Sequence, residues 1–183
     1  MALVALLAPA AAWGQSKPID ADHSTVTVHV FKTGMLSAFG HDHEIAAPVT
    51  EGSVDAGARN VELEVEASTL RVVDAKVSDK DRGAIQANML GPEVLDAQNF
   101  KKIHFRSTSG EQSAPGAWTV AGDLTLHGQT RRVSMQVREK DGGYSGSFRL
   151  NITAFGIKPV KVAGGAVRVK DELQIDFDIR VAR

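Results

Sequence analysis

The chain has 183 residues, 43% of them hydrophobic and 23% charged, a balance that fits one globular domain with a real core and excludes a disordered polymer. Its 21 basic residues stand against 22 acidic ones, for a net charge of -1, and 5% of the chain is aromatic, which excludes a broad nucleic-acid or anionic-membrane surface and a base-stacking platform. There is no cysteine, hence no disulfide framework, no thiolate metal site and no thiol for a lipid anchor.

Residues 1–14 are an apolar run ending in Ala12-Trp13-Gly14 and read as a secretory signal peptide cut before Gln15, leaving residues 15–183 as one periplasmic or secreted domain. The run is too short to cross a bilayer, so the protein is not expected to span a membrane. From Thr25 the chain alternates, with Val26, Val28 and Val30 on one face and Thr25, Thr27 and His29 on the other. Before it, His23 reads as a strand-end residue that hydrogen-bonds locally.

Lys32 to Ile45 contains Gly40-His41-Asp42-His43. In an extended chain His41 and His43 project to the same face and can share a metal ion, with the remaining donor drawn from His23, His104 or His127. The competing reading is a metal-free strand cap.

Residues 52–57 are rich in turn formers, and Val61, Leu63, Val65 and Ala67 then alternate with Glu62, Glu64 and Glu66, a solvated acidic face. Alternation breaks from Asp74 to Asn99, where Ser78 or Asp79 can cap a helix running to about Met89, with Ile85 and Met89 four residues apart; Gly91-Pro92 interrupts it and can open a second turn. Ile103 and Phe105 resume a strand with His104 and Arg106 outward, residues 111–116 read as a loop, and Trp118 leads into the next strand. Asp123 to Val137 is a hairpin in which Leu124 and Leu126, then Val133, Met135 and Val137, form one apolar face around a short polar link containing Gly128. Gly142-Gly143 and Gly164-Gly165 read as turns. Phe148, Leu150 and Ile152 share a side, and Leu173, Ile175, Phe177 and Ile179 close the chain in strict alternation.

Strands of this type joined by short turns make an antiparallel sheet with one wet face, which must stack on another sheet or curl until its apolar face meets itself. Curling is the expected outcome, giving an all-β fold with one helical insertion.

Leu124-Thr-Leu-His-Gly-Gln-Thr-Arg-Arg-Val133 resembles the signature hairpin of the YceI-like family, secreted bacterial proteins with a lipocalin-like barrel, some of which bind a polyisoprenoid tail. Asp20, His23 and Ser24 resemble the family's opening motif, and Ala154-Phe-Gly-Ile157 resembles its Asp-Phe-Gly-Ile landmark with alanine in place of the acid. The resemblance covers Asp20 to Val181 and implies an extended antiparallel barrel of about eight strands with a helix-and-loop lid. At the lid this chain has Val94 and Leu95 where relatives carry paired phenylalanines, and Gly40-His41-Asp42 stands where many relatives have Gly-x-Phe.

The expected lumen wall is Val28, Val30, Leu63, Val65, Phe105, Leu124, Leu126, Phe148, Leu150, Ile175 and Phe177, with Met89, Val94, Leu95 and Phe100 at a lid or entrance. An aliphatic lining suits an isoprenoid, quinone or other lipid-like molecule better than a sugar or nucleotide, so the leading expectation is a non-enzymatic binding protein for an apolar small molecule. The alternatives are a metal- or haem-associated protein using His41 and His43, and a filled barrel that acts on another protein through its surface; a homodimer is compatible with each. The chain has no Gly-x-Ser-x-Gly, no His-Glu-x-x-His and no phosphate loop, and a Ser24, His41, Asp42 grouping is not distinguished from chance, so no catalytic residue is assigned.

Overall fold

Stretches with a period of two become strands in the computed structural model, which describes residues 16–33, 42–162 and 166–182. In chain order they are β1 (Lys17–Pro18), β2 (Thr25–Thr33), β3 (His43–Ala46), β4 (Glu51–Asp55), β5 (Asn60–Glu66), β6 (Arg71–Val72), β7 (Lys102–Ala114), β8 (Ala117–Leu126), β9 (Gln129–Lys140), β10 (Gly143–Asn151), β11 (Lys161–Val162) and β12 (Val167–Arg180). One helix, α1 (Asp79–Leu90), lies between β6 and β7. The expected signal peptide, His41 and the Gly164-Gly165 turn lie outside the described residues.

All strands join one sheet in the order β1-β4-β5-β7-β8-β9-β10-β12-β2-β3-β6, with β11 beside β12, and every pairing is antiparallel. The sheet curls around its apolar face into a half-barrel. Its β4 edge is drawn toward β12 by the N-terminal segment: Ile19 N–H donates to the Gly52 carbonyl at 2.9 Å, Asp20 N–H to Arg180 at 2.8 Å, and Ala182 N–H returns to Pro18 at 2.9 Å. These bonds occupy backbone groups that an open edge would offer to another chain. The β6 edge is met by α1 instead. The Gln86 side chain donates to the Leu70 carbonyl at 2.7 Å and accepts from Val72 N–H at 2.9 Å, one amide serving both polarities of the strand.

The strand count exceeds the expected eight because β1, β6 and β11 are ladders of two residues each, too short to show any periodicity. Two boundaries also differ from expectation. Residues 52–55 belong to β4, because pairing to β5 on one side and β1 on the other outweighs the local turn preference. Residues 111–114 extend β7 rather than forming a loop, since they continue a hairpin with β8 whose register shifts twice on the way.

The central β8–β9 hairpin turns through only two residues. His127 and Gly128 have φ of 49° and 69°, the left-handed pair that a tight hairpin turn requires and that glycine adopts without strain. Gln129 and Thr130, which follow the turn, are already paired with Leu126 and Thr125. Helix α1 begins at the Ser78 cap, whose Oγ accepts from Asp81 N–H at 3.2 Å, and ends at Gly91. The core continues from the curled sheet into the short helical turn Ile152–Phe155, where Phe155 is the most deeply buried large side chain.

Candidate binding site

Because successive side chains alternate faces, each strand contributes one row to the concave interior. The rows do not fill it. They enclose a cavity of about 600 Å³ with an almost wholly apolar wall. Val28 and Val30 of β2, Leu63 and Val65 of β5, Phe105 of β7, Leu124 and Leu126 of β8, Phe148 and Leu150 of β10, and Ile175 and Phe177 of β12 all line it. Val133 packs against the core without reaching the cavity, whereas Val120, Met135 and Val137 do reach it. Those three carry the same alternation and were open to the same reasoning.

Helix α1 and the segment after it stand over one end. Ile85, Asn88, Met89, Val94 and Leu95 line the cavity there. Phe100 does not: its ring packs at a tilt of 55° against that of His127 with centroids 4.3 Å apart, and it covers Gly128. It locks the signature hairpin to the lid segment and is not an entrance residue. His127 completes this junction through Nδ1, 3.2 Å from the Phe155 carbonyl. The Thr153 N–H and hydroxyl both donate to Asp171, at 2.9 and 2.8 Å, which secures the same turn from β12.

His43 lies on the cavity wall at the helix end, opposite Val30 in the β2–β3 ladder. Its Nδ1 is 2.5 Å from Asp74 Oδ2, while Asp74 Oδ1 accepts Glu44 N–H at 2.6 Å. Asp74 is buried, with 6% of its side chain exposed, so its charge is satisfied by these two donors and by little else. An ionised carboxylate can only accept, so the proton on the bonded side of the ring sits on Nδ1 and Nε2 is left for the cavity side. Nothing in the spacing of two residues 31 apart announces this pair.

The remaining described histidines each have a partner of their own. His23 Nδ1 meets Asp20 at 2.9 Å, the local bond expected of it. His29 Nε2 meets Asp176 at 2.9 Å, and His104 Nε2 meets Glu62 at 2.9 Å, both on the outer face of the sheet. Among the described residues no three His, Asp or Glu side chains gather into a metal-ligand set. The proposed His41–His43 pair cannot be followed further, as His41 lies outside those residues.

The outer face is held by charge. Lys102 Nζ is 2.8 Å from Glu64, and that hydrogen bond, with the attraction behind it, raises the ammonium above its ordinary pKa. At the end of the cavity away from α1, Tyr144 is raised above its ordinary value, first by burial and then by the nearby Glu139 carboxylate, so it presents a neutral hydroxyl. Arg59 there lies 5.8 Å from the Trp118 ring centroid.

No helix among the described residues is long and apolar enough to cross a membrane. The fold matches that of BcnA from Burkholderia cenocepacia, with a TM-score of 0.67 at 18% identity over 90% of this chain and 99% of that one. It also matches a YceI protein of Campylobacter jejuni, with a TM-score of 0.53 at 11% identity over 76% and 81% of the two chains. In sequence the chain is 25% identical to a UPF0312 protein of Shewanella putrefaciens over 98% of its own length and 94% of that protein's. A UPF0312 protein of Vibrio cholerae is 28% identical over 57% and 59% of the respective chains. The family model described as the YceI-like domain matches residues 18–181, and the chain therefore belongs to the YceI-like family.

Proposed function

We propose that this protein binds an elongated apolar molecule, an isoprenoid, quinone or similar lipid, inside the curled sheet, and that it does so in the periplasm or outside the cell without transforming the ligand. The observation that carries this reading is the cavity itself: about 600 Å³ of space walled by aliphatic and phenylalanine side chains, within the usual size range of small-molecule sites. A wall of this kind offers a sugar or nucleotide no hydrogen bonds but offers a hydrocarbon chain full desolvation. Each buried methylene contributes about 0.8 kcal/mol, so one five-carbon prenyl unit contributes up to about 4 kcal/mol. Two units, at about 8 kcal/mol before ordering costs, correspond to about micromolar retention at best, and tight holding requires more of the chain to enter. The lining polar side chains stand at the two ends, and among the described residues no serine, threonine or cysteine nucleophile lines the cavity.

The test is mass spectrometry of organic extracts from natively purified protein, followed by titration of the stripped protein with a prenol series of increasing length. Co-purified lipid and affinity that grows with chain length are expected. An empty extract together with no binding of any prenol overturns the reading.

A further inference from the structure

The rim of the barrel is unevenly charged, and from this we infer that the sector running from the β8–β9 turn to the β11–β12 ribbon docks onto an anionic phospholipid surface. This surface lies on the outside of the barrel, so its docking is independent of what the lumen holds. A net charge of -1 excludes a broad cationic surface and leaves room for a local one.

Antiparallel pairing sends the β4–β5, β7–β8 and β9–β10 turns to one end of the barrel, and the β8–β9 turn, the end of β2, the starts of β3 and β12, β11 and α1 to the other. At this second end the exposed cations Arg131, Lys158, Lys161 and Lys170 follow one another around the rim. The backbone links them. His127, in the turn just before Arg131, meets the Phe155 carbonyl at 3.2 Å, and Phe155 comes just before Lys158. Val169 N–H donates to Val160 at 2.9 Å, which lays Lys158 and Lys161 of one arm of the ribbon beside Lys170 of the other.

Their charges are not matched locally. Arg131 donates to the Thr130 carbonyl at 2.8 Å and to the Gln129 side chain at 3.3 Å, both neutral, and Lys170 lies 5.8 Å from the Phe31 ring centroid. Lys158 and Lys161 have no ion-pair partner among the described residues. The carboxylates of the sector are turned to other work: Asp171 accepts both donors of Thr153, and Glu172 is 3.1 Å from Arg149. Helix α1, on the opposite flank, sets Asp79 and Asp81 against Lys80 and Arg82, so the excess of positive charge belongs to one side of the mouth. Lysines are point charges on flexible stems, which suit a fluid array of phosphates better than one fixed acid group. Val73, the large hydrophobic side chain left exposed among the described residues at 45%, lies at this end too, its N–H donating to the Glu44 carbonyl beside His43. Cations with an apolar residue among them are what a bilayer interface takes, and a barrel seated this way turns the mouth of its apolar cavity to the lipid.

The experiment measures sedimentation of the protein with vesicles of phosphatidylcholine alone and of phosphatidylcholine with about 30 mol% phosphatidylglycerol. The wild-type protein is expected to bind the anionic vesicles about fiftyfold or more tightly, and the difference is expected to shrink as salt rises from about 0.05 to 0.5 M. At about fivefold per lysine, the variant Lys158→Gln/Lys161→Gln/Lys170→Gln is expected to weaken that binding about thirtyfold or more. Lys17→Gln/Lys140→Gln, which removes cations from the far end, is expected to change it about threefold or less. Because the chain has no cysteine, an environment-sensitive dye can be placed uniquely. At Ala154→Cys, within the sector, its emission is expected to shift to the blue on anionic vesicles, and at Ala58→Cys, in the far β4–β5 turn, to stay unchanged. Equal binding to the two kinds of vesicle overturns the docking surface, and so does binding that survives the triple variant, is lost in the far-end variant or shifts the dye at Ala58→Cys instead. Failure of the wild type to bind either vesicle overturns it as well and leaves the sector to an acidic protein. The dye pair and the salt series decide the matter if the triple variant does not fold.

Discussion

Gly146 of β10 lies directly opposite Phe177 of β12, and the phenylalanine ring occupies the place where a side chain at 146 would begin: a Cβ there would meet Phe177 Cζ at 2.8 Å and would also collide with the Gln136 carbonyl. The ring lines the cavity, so the glycine lets an aromatic lie flat on the wall instead of standing into the lumen. Gly146→Ala is expected to cost about 1–3 kcal/mol, the usual penalty of overpacking, read as a lower midpoint in urea denaturation with an unchanged slope. A variant as stable as wild type would show that both the Phe177 ring and the β9 backbone at Gln136 give way.

A second relationship closes the sheet. Ser24 is buried, its hydroxyl donates to the Asp20 carbonyl at 2.6 Å, and the same oxygen accepts Arg180 N–H at 2.9 Å. It thereby ties the start of β2 to the end of β12. Ser24→Ala leaves a buried backbone donor without its partner and is expected to lose about 1–3 kcal/mol of stability, while Ser24→Thr, which keeps the hydroxyl, loses less. Equal losses in the two variants would mean that space, not the hydrogen bond, matters at this position.

The Asp20–His23 pair has a defined pH window. The hydrogen bond to Asp20 holds His23 above its ordinary 6.5, and the same bond holds Asp20 below its ordinary 3.8. The stabilisation from His23 is therefore full below pH 6.5 and is lost as pH rises through its folded pKa; that from Asp20 is full above pH 3.8 and is lost as pH falls through its folded pKa. His23 is exposed and Asp20 half-buried, so solvent screens the pair and the effect is a local one. In an NMR titration His23 is expected to have a pKa above 6.5 that falls back in Asp20→Asn, and an unmoved value in the variant would assign the shift elsewhere.

Filling the lumen separates folding from binding. Val28 lies between Ile45 and Ile175 in the ladder and faces the cavity. Val28→Trp adds an indole where there is space for it, so stability is expected to stay within about 1 kcal/mol of wild type while the affinity for a long prenol drops about tenfold or more. Thermal unfolding followed by circular dichroism and the prenol titration read the two effects independently. Undiminished binding would place the ligand outside the cavity.

Much of this was legible in the order of residues. Strict alternation in Leu173, Ile175, Phe177 and Ile179 determines a strand with one buried face, because a period of two has no other use in a folded chain. The Ser78 cap and the Gly91-Pro92 break likewise determine where α1 begins and ends, since both act through neighbouring backbone groups. What the sequence could not carry are contacts between segments that share no local pattern. Asp74 reaching His43, Gln86 satisfying β6, and Ile19 joining β4 to β12 each depend on how the sheet curls. The same holds for the cavity, because alternation says which side chains face inward but not whether their volumes meet. Only the tertiary structure, by choosing the curvature of the sheet and the end at which each strand stops, left the interior open and set His43 against Asp74 on its wall.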